Sequence, residues 1–140
     1  MRCPYCGAGN PTLTIEQTRS SSWSFKIYKH STSTSANTQS MKVSCKLCQQ
    51  RYEILDVDDY SWIRSKISIL STAIEAFKTI YGLPAVTLDD IFAAATAVTI
   101  PDRMARHNKL HICFNLQGTR SFMDCVRDGS MLKGVSVVRS

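Results

Sequence analysis

The chain holds no apolar run long enough to cross a bilayer, and no short apolar core follows a basic start. Neither a membrane span nor an export leader is therefore expected, and the cytoplasm is the expected location. It is also short of acid: 11 Asp and Glu stand against 17 Lys and Arg, a formal charge of +6. That balance favours acidic partners, nucleic acid first among them. A glycine-rich phosphate loop, a nucleophile elbow and paired carboxylates in a glycine-containing turn are all missing, so no enzyme is expected. The pairs Asp58/Asp59 and Asp89/Asp90 read as charges near helix starts.

What the chain does have is cysteine. In a reducing cytosol, paired Cys-x-x-Cys motifs hold metal more often than they form disulfides. "CPYC" at Cys3 and Cys6 is answered by "CKLC" at Cys45 and Cys48, giving C-x2-C-x38-C-x2-C. A two-residue gap lets one tight turn offer two sulfurs to one ion, and zinc takes four thiolates at about 2.3 Å. A Zn2+ ion on Cys3, Cys6, Cys45 and Cys48 would be structural, because four thiolates leave no open position for water. It would also lower the formal charge from +6 by two. Pro4 stiffens the first turn, and Gly7 can take the positive φ that aims N–H groups at sulfur. The second turn has Gln49 where glycine would stand, which calls for a strained or differently shaped turn. The alternative is four unrelated free cysteines.

Between the pairs the chain alternates. "TLTIEQTR" and "SWSFKIYKH" have strand periodicity, with Trp23, Phe25 and Ile27 on one face and Lys26 on the other. Residues 31–40, "STSTSANTQS", read as a long hairpin tip or loop. "QRYEILD" alternates Tyr52 with Ile54 and completes a small antiparallel sheet. Residues 1–56 then form a zinc-ribbon module. "MRCPYCG" together with "CKLCQQRYEI" resembles the N-terminal zinc ribbon of bacterial ribonucleotide reductase regulators, and the small zinc-finger activators of phage late genes of the Ogr/Delta type. The resemblance covers about the first 56 residues. It implies the four cysteine ligands and a DNA-binding, transcription-regulating role for the basic and aromatic residues near them.

Residues 57–140 read as an α+β region. Ile63, Ile67, Leu70, Ile74, Phe77 and Tyr81 recur at alternating gaps of four and three, then Gly82 and Pro84 follow, which predicts a long amphipathic helix at about 59–81. The stripe fits the core of the chain itself. It also fits a heptad seam, so a homodimer through the 63–81 helix is the alternative. "TLDD" predicts a capping box at Thr87 and Asp90, opening a helix to about Val98. Pro101 can open a short third helix carrying Arg103, Arg106 and His107 beside Lys109, as a recognition helix or a solvated basic end. "LHICFNLQG" reads as a strand, "RSFMDCVRD" as a short helix and "MLKGVSVV" as a last strand. Cys125 reads as a small core residue, while Cys113 and the histidines are placed on a polar face, His107, His111, Cys113 and Cys125 lacking ligand spacing.

The expected function is that of a zinc-stabilised nucleic-acid-binding protein, DNA before RNA, a transcription regulator of bacterial or phage type. Lys26, Lys29, His30, Lys42, Arg51, Arg103 and Arg106 are the candidate nucleic-acid contacts. The alternative is an interaction module that docks on RNA polymerase or a viral assembly partner.

Overall fold

The computed structural model describes residues 2–20, 26–29, 32–35, 39–55, 60–84, 87–101 and 109–139. Its first half is strand: β1 Leu13–Ser20, β2 Lys26–Lys29, β3 Thr32–Ser35, β4 Gln39–Cys45 and β5 Arg51–Leu55. Then come α1 Ser61–Arg64, β6 Ile67–Ile69, α2 Ser71–Tyr81 and α3 Leu88–Ala93. Four strands close the chain: β7 Ala95–Pro101, β8 Lys109–Leu116, β9 Thr119–Asp128 and β10 Met131–Arg139. The class is α+β, rich in strand, with short helices.

Eight strands form one sheet in the order β1-β4-β5-β7-β8-β9-β10-β6, and β2 pairs with β3 separately. The sheet crosses residue 56 without a break, because β5 pairs antiparallel with β7 at Tyr52↔Pro101, Glu53↔Ile100 and Ile54↔Thr99. Alternation gives it two dissimilar faces. Val98, Ile100, Leu110, Ile112, Phe114, Met123, Cys125, Leu132 and Val137 form one core with Ile63, Ala73, Phe77, Tyr81 and Ile91 of the helices. On the other face Val43, Tyr52, Ala97 and Cys113 pack with Cys3, Tyr5, Ala8 and Cys45. The cysteine turns and the helices thus lie on opposite sides of the sheet.

The long helix expected at 59–81 is two short helices with a strand between them. The backbone of residues 66–70 is claimed by β10: Leu132 N–H donates to Lys66 O at 2.8 Å and Leu70 N–H to Gly134 O at 2.9 Å. β6 runs parallel to β10 there, with Ile67 opposite Leu132. The isoleucines of "KISI" suit a strand, and the free edge of β10 takes it up as a parallel partner. Ile63, Phe77 and Tyr81 of the apolar stripe are buried in the chain's own core, but Leu70, at the start of α2, is 39 % exposed. Leu70→Ala is therefore expected to cost about 1 kcal/mol in urea unfolding, below the roughly 2 to 5 kcal/mol of a fully buried leucine.

Three other expectations change. The capping box forms, with Asp90 N–H donating to Thr87 Oγ1 at 3.2 Å and Thr87 N–H to Asp90 Oδ2 at 3.0 Å, but the helix ends at Ala93. The alanines hide a strand whose signal is the β-branched run Val98, Thr99, Ile100. "RSFMDCVRD" is strand rather than helix: Ser121, Met123 and Cys125 are buried in alternation, and serine and sulfur side chains carry a weaker apolar signal than their burial deserves. Part of the expected loop at 31–40 is β3, paired with β2 at Lys26↔Ser35 and Lys29↔Thr32, since threonine is β-branched as well as polar. Pro101 is the last residue of β7; the short helix expected after it, with Arg103, Arg106 and His107, lies outside the described residues.

Candidate metal centre

Each cysteine pair sits on a tight turn, and the two turns close with the same backbone bond. Cys3 N–H donates to Ala8 O at 2.9 Å, and Cys45 N–H donates to Gln50 O at 2.9 Å, five residues on in both cases. The residue after each second cysteine is left-handed: Gly7 at φ 79 and Gln49 at φ 60. Gln49 thus takes the conformation that glycine adopts in the first turn, so the second turn is strained rather than differently shaped. Lys46 N–H donates to Thr12 O at 3.0 Å and ties the second turn to the segment leading into β1.

This pairing brings the four sulfurs of Cys3, Cys6, Cys45 and Cys48 within 4.8 Å of one another. Cys3 and Cys48 Sγ are 3.8 Å apart, Cys6 and Cys45 Sγ 3.6 Å. A tetrahedron with arms of about 2.3 Å has edges of about 3.8 Å, so the donor set fits zinc in number, chemistry and spacing. Backbone N–H groups point at the sulfurs, from Ala8 to Cys6, from Cys48 and Leu47 to Cys45, and from Gln50 to Cys48. Tyr52 Oη adds a hydrogen bond to Cys3 Sγ at 3.3 Å.

Such crowding sets the thiols against one another. Burial opposes ionisation of Cys45, but the N–H groups of Cys48 and Leu47 and the neighbouring thiols outweigh it and bring Cys45 down to about 7. Burial pushes Cys6 and Cys48 up, and burial with the bond to Cys3 raises Tyr52. Four thiolates cannot share this space without a cation, and a divalent ion removes the conflict. When bound, zinc supplies a fixed crosslink between the two turns.

Tyr5 fastens the first turn to the sheet, a role the sequence reading did not assign it. Its hydroxyl meets Thr99 Oγ1 at 2.6 Å and His111 Nδ1 at 2.9 Å. Its ring sits edge-on to Tyr52, His111 and Phe122 at centroid distances of 5.0, 6.0 and 5.6 Å. His111 stacks on Phe122 at 4.2 Å and turns Nε2 to Asp124 Oδ1 at 3.6 Å. The available signal was the alternation of β8, which puts His111 and Cys113 on one face. That face is buried rather than polar, and burial pushes the Cys113 thiol up to about 12.

Burial also lowers His111 to about 4, with Lys109 acting the same way and Asp124 opposing. The unfolded chain, with its histidine near 6.5, then binds more protons between those values, so stability falls as the medium is acidified through that window. His111's share of the stability lost on acidification from pH 7 to 5 is expected to be about 2 kcal/mol, read in urea unfolding as the difference between the native chain and a variant lacking the imidazole. His111→Gln should lose that share of the slope, and an unchanged slope would show that His111 is not held neutral.

Of the other candidates, Lys26 and Lys29 stand on β2, opposite Ser35 and Thr32. Lys42 of β4 lies opposite Glu53 of β5, and Arg51 opposite Ser44, on the sheet face away from the cysteines. His30, like Arg103 and Arg106, lies outside the described residues. The structure brings the four cysteines together, and of the described basic candidates Lys42 and Arg51 lie on the opposite face of the sheet.

Among the described residues no helix is long and apolar enough to cross a membrane. Comparison with protein-family models, with curated proteins and with solved structures finds no match.

Proposed function

We propose that the protein is a zinc-stabilised nucleic-acid-binding protein that regulates transcription. The sulfur tetrahedron carries the metal half of this reading, as four thiols converge to the spacing of a zinc shell. The nucleic-acid half is supported by the formal charge of +6 and a pI near 9.1. DNA is the first candidate ligand, and the cytoplasm of a bacterium or phage host the setting. Lys26, Lys29 and Arg51 add positive charge outside the cysteine turns, while Glu53 offsets Lys42 across the strand pair.

A second reading has a specific observation in its favour. Leu47 in the second cysteine turn is 66 % exposed, and Ile15 on the edge strand β1 is 53 % exposed, a combination suited to a protein partner such as RNA polymerase or a viral assembly protein. Titration of labelled duplex DNA, single-stranded DNA and RNA across a range of salt separates the two. Affinity that falls steeply with salt supports the first reading, and no affinity at low salt replaces it with the second.

A further inference from the structure

Two cavities flank the first cysteine turn on the cysteine side of the protein, and one arginine lines both. The first, about 180 Å³, is lined by Arg2, Gly7, Thr96, Asn115 and Arg120 besides Cys3 and Pro4. The second, about 370 Å³, is lined by Tyr5, Cys6, Gly118, Thr119, Arg120 and Arg139. No carboxylate lines either one among the described residues, and both carry hydroxyl, amide or backbone donors beside the guanidinium groups.

The three arginines reach this place from three separate parts of the chain: the segment before the first cysteine, the start of β9 and the end of β10. Each has its own means of being held there. Arg2 Nη1 donates to Gly7 O at 3.2 Å. Arg120 lies so close over Gly7 that a β-carbon at that residue would collide with its guanidinium, so the glycine that shapes the turn also admits the arginine. The β8–β9 turn beside it is left-handed at Gln117 and Gly118, at φ 53 and 76, and brings its backbone to the cavity rim. Arg139, at the end of β10, stands opposite Ser121 on the face that meets Tyr81, and lines the second cavity from there.

We propose that this arginine cleft beside the metal centre is the phosphate-binding site of the protein, and that it takes the sugar–phosphate backbone of a nucleic-acid strand. Guanidinium is planar, weakly hydrated and suited to bidentate contact with phosphate oxygens, whereas Lys42 stands opposite Glu53 across the strand pair. The cleft contacts phosphate rather than base edges, so it supplies affinity without sequence choice. This assignment rests on the nucleic-acid reading and narrows it to a place.

The test is the binding of a labelled random-sequence DNA duplex by the zinc-loaded protein, read by fluorescence anisotropy as salt is raised. Combined Arg2→Ala, Arg120→Ala and Arg139→Ala is expected to flatten the plot of log affinity against log salt by about one unit per arginine. Between about 50 and 200 mM salt the native chain then loses about 40-fold more affinity than the triple variant. Arg120→Lys, which keeps the charge, should retain most of the slope, and Lys26→Ala with Lys29→Ala and Lys42→Ala should leave it nearly intact. A slope that survives the arginine changes and falls with the lysine changes overturns the cleft while leaving nucleic-acid binding in place. Absence of binding by the native chain to duplex, single strand and RNA overturns both. Because Arg2 and Arg120 adjoin the zinc turn, the native protein supplies a second measurement: the Gly7 and Gly118 amide resonances should shift on adding the duplex. Resonances that stay put while the duplex binds also overturn the assignment.

Discussion

Freshly purified protein is expected to carry one zinc ion per chain, and Cys6→Ser to abolish its retention. Metal ligation contributes apparent free energies of about 10 to 16 kcal/mol in zinc-finger peptides, comparable to the whole stability of an ordinary domain. The residues beneath the centre show what would go with it. Val43, Tyr52 and Cys113 are buried against Cys3, Tyr5 and Cys45, so removing the ion exposes the underside of β4 and β5 to repelling thiolates. The helix-side core, from Ile63 through Phe77 to Leu132, belongs to a separate cluster. Chelation should therefore erase amide-exchange protection at Val43 and Tyr52 before it reaches Leu110, Ile112 and Leu132. Protein that contains no zinc by elemental analysis, or that keeps protection at Val43 and Tyr52 in excess chelator, would show the tetrahedron to be four independent thiols.

The second large effect lies at a residue that touches no metal. Tyr5→Ala should destabilise the zinc-loaded protein by roughly 3 to 5 kcal/mol for the lost aromatic side chain. A further 1 to 3 kcal/mol or so follows from leaving Thr99 and His111 without their buried partner. Tyr5→Phe isolates the smaller part, since it keeps the ring among Tyr52, His111 and Phe122 and removes only the hydroxyl. Chemical unfolding at fixed zinc activity reads both. Equal stability of the two variants would mean that the ring packing contributes nothing; a Tyr5→Ala protein as stable as the native one would mean that the first cysteine turn holds its place through zinc alone.

The metal centre was legible because ligand spacing is a local property. Two residues between cysteines describe a turn whatever the rest of the chain does, and the match of Gly7 and Gln49 in backbone conformation shows both turns obeying the same geometry. β8 was legible for a similar reason, alternating Leu110, Ile112, Phe114 and Leu116 with its other residues over the full strand, and the first residues of β1 show the same pattern at Leu13 and Ile15. The segment from Ile63 to Tyr81 was not, because residues at gaps of four and three satisfy a helix whether or not the backbone between them turns aside. What decides residues 66–70 is hydrogen bonding to β10, whose Leu132 and Gly134 stand more than sixty residues further along. Tyr5 was illegible for the same physical cause: its hydroxyl partners are 94 and 106 residues away in sequence, and nothing in "CPYC" points to them. Arg2, Arg120 and Arg139 escaped notice because each stands alone in sequence and they meet only when β9 and β10 are in place.

The span between Tyr5 and His111 also sets an order of events during synthesis. Tyr5 leaves the ribosome 106 residues ahead of His111, an interval of about 5 to 20 s at elongation rates of about 5 to 20 residues per second. Through that interval the first cysteine turn has its second pair available from Cys48 onward, but not the strand on which its tyrosine will rest. An ion captured early would sit at the edge of an incomplete sheet, its thiolates open to exchange with other metals and with cellular chelators, until β8 emerges and closes over Tyr5. An ion bound in that interval would therefore exchange more readily than one bound after Tyr5 has docked on β8.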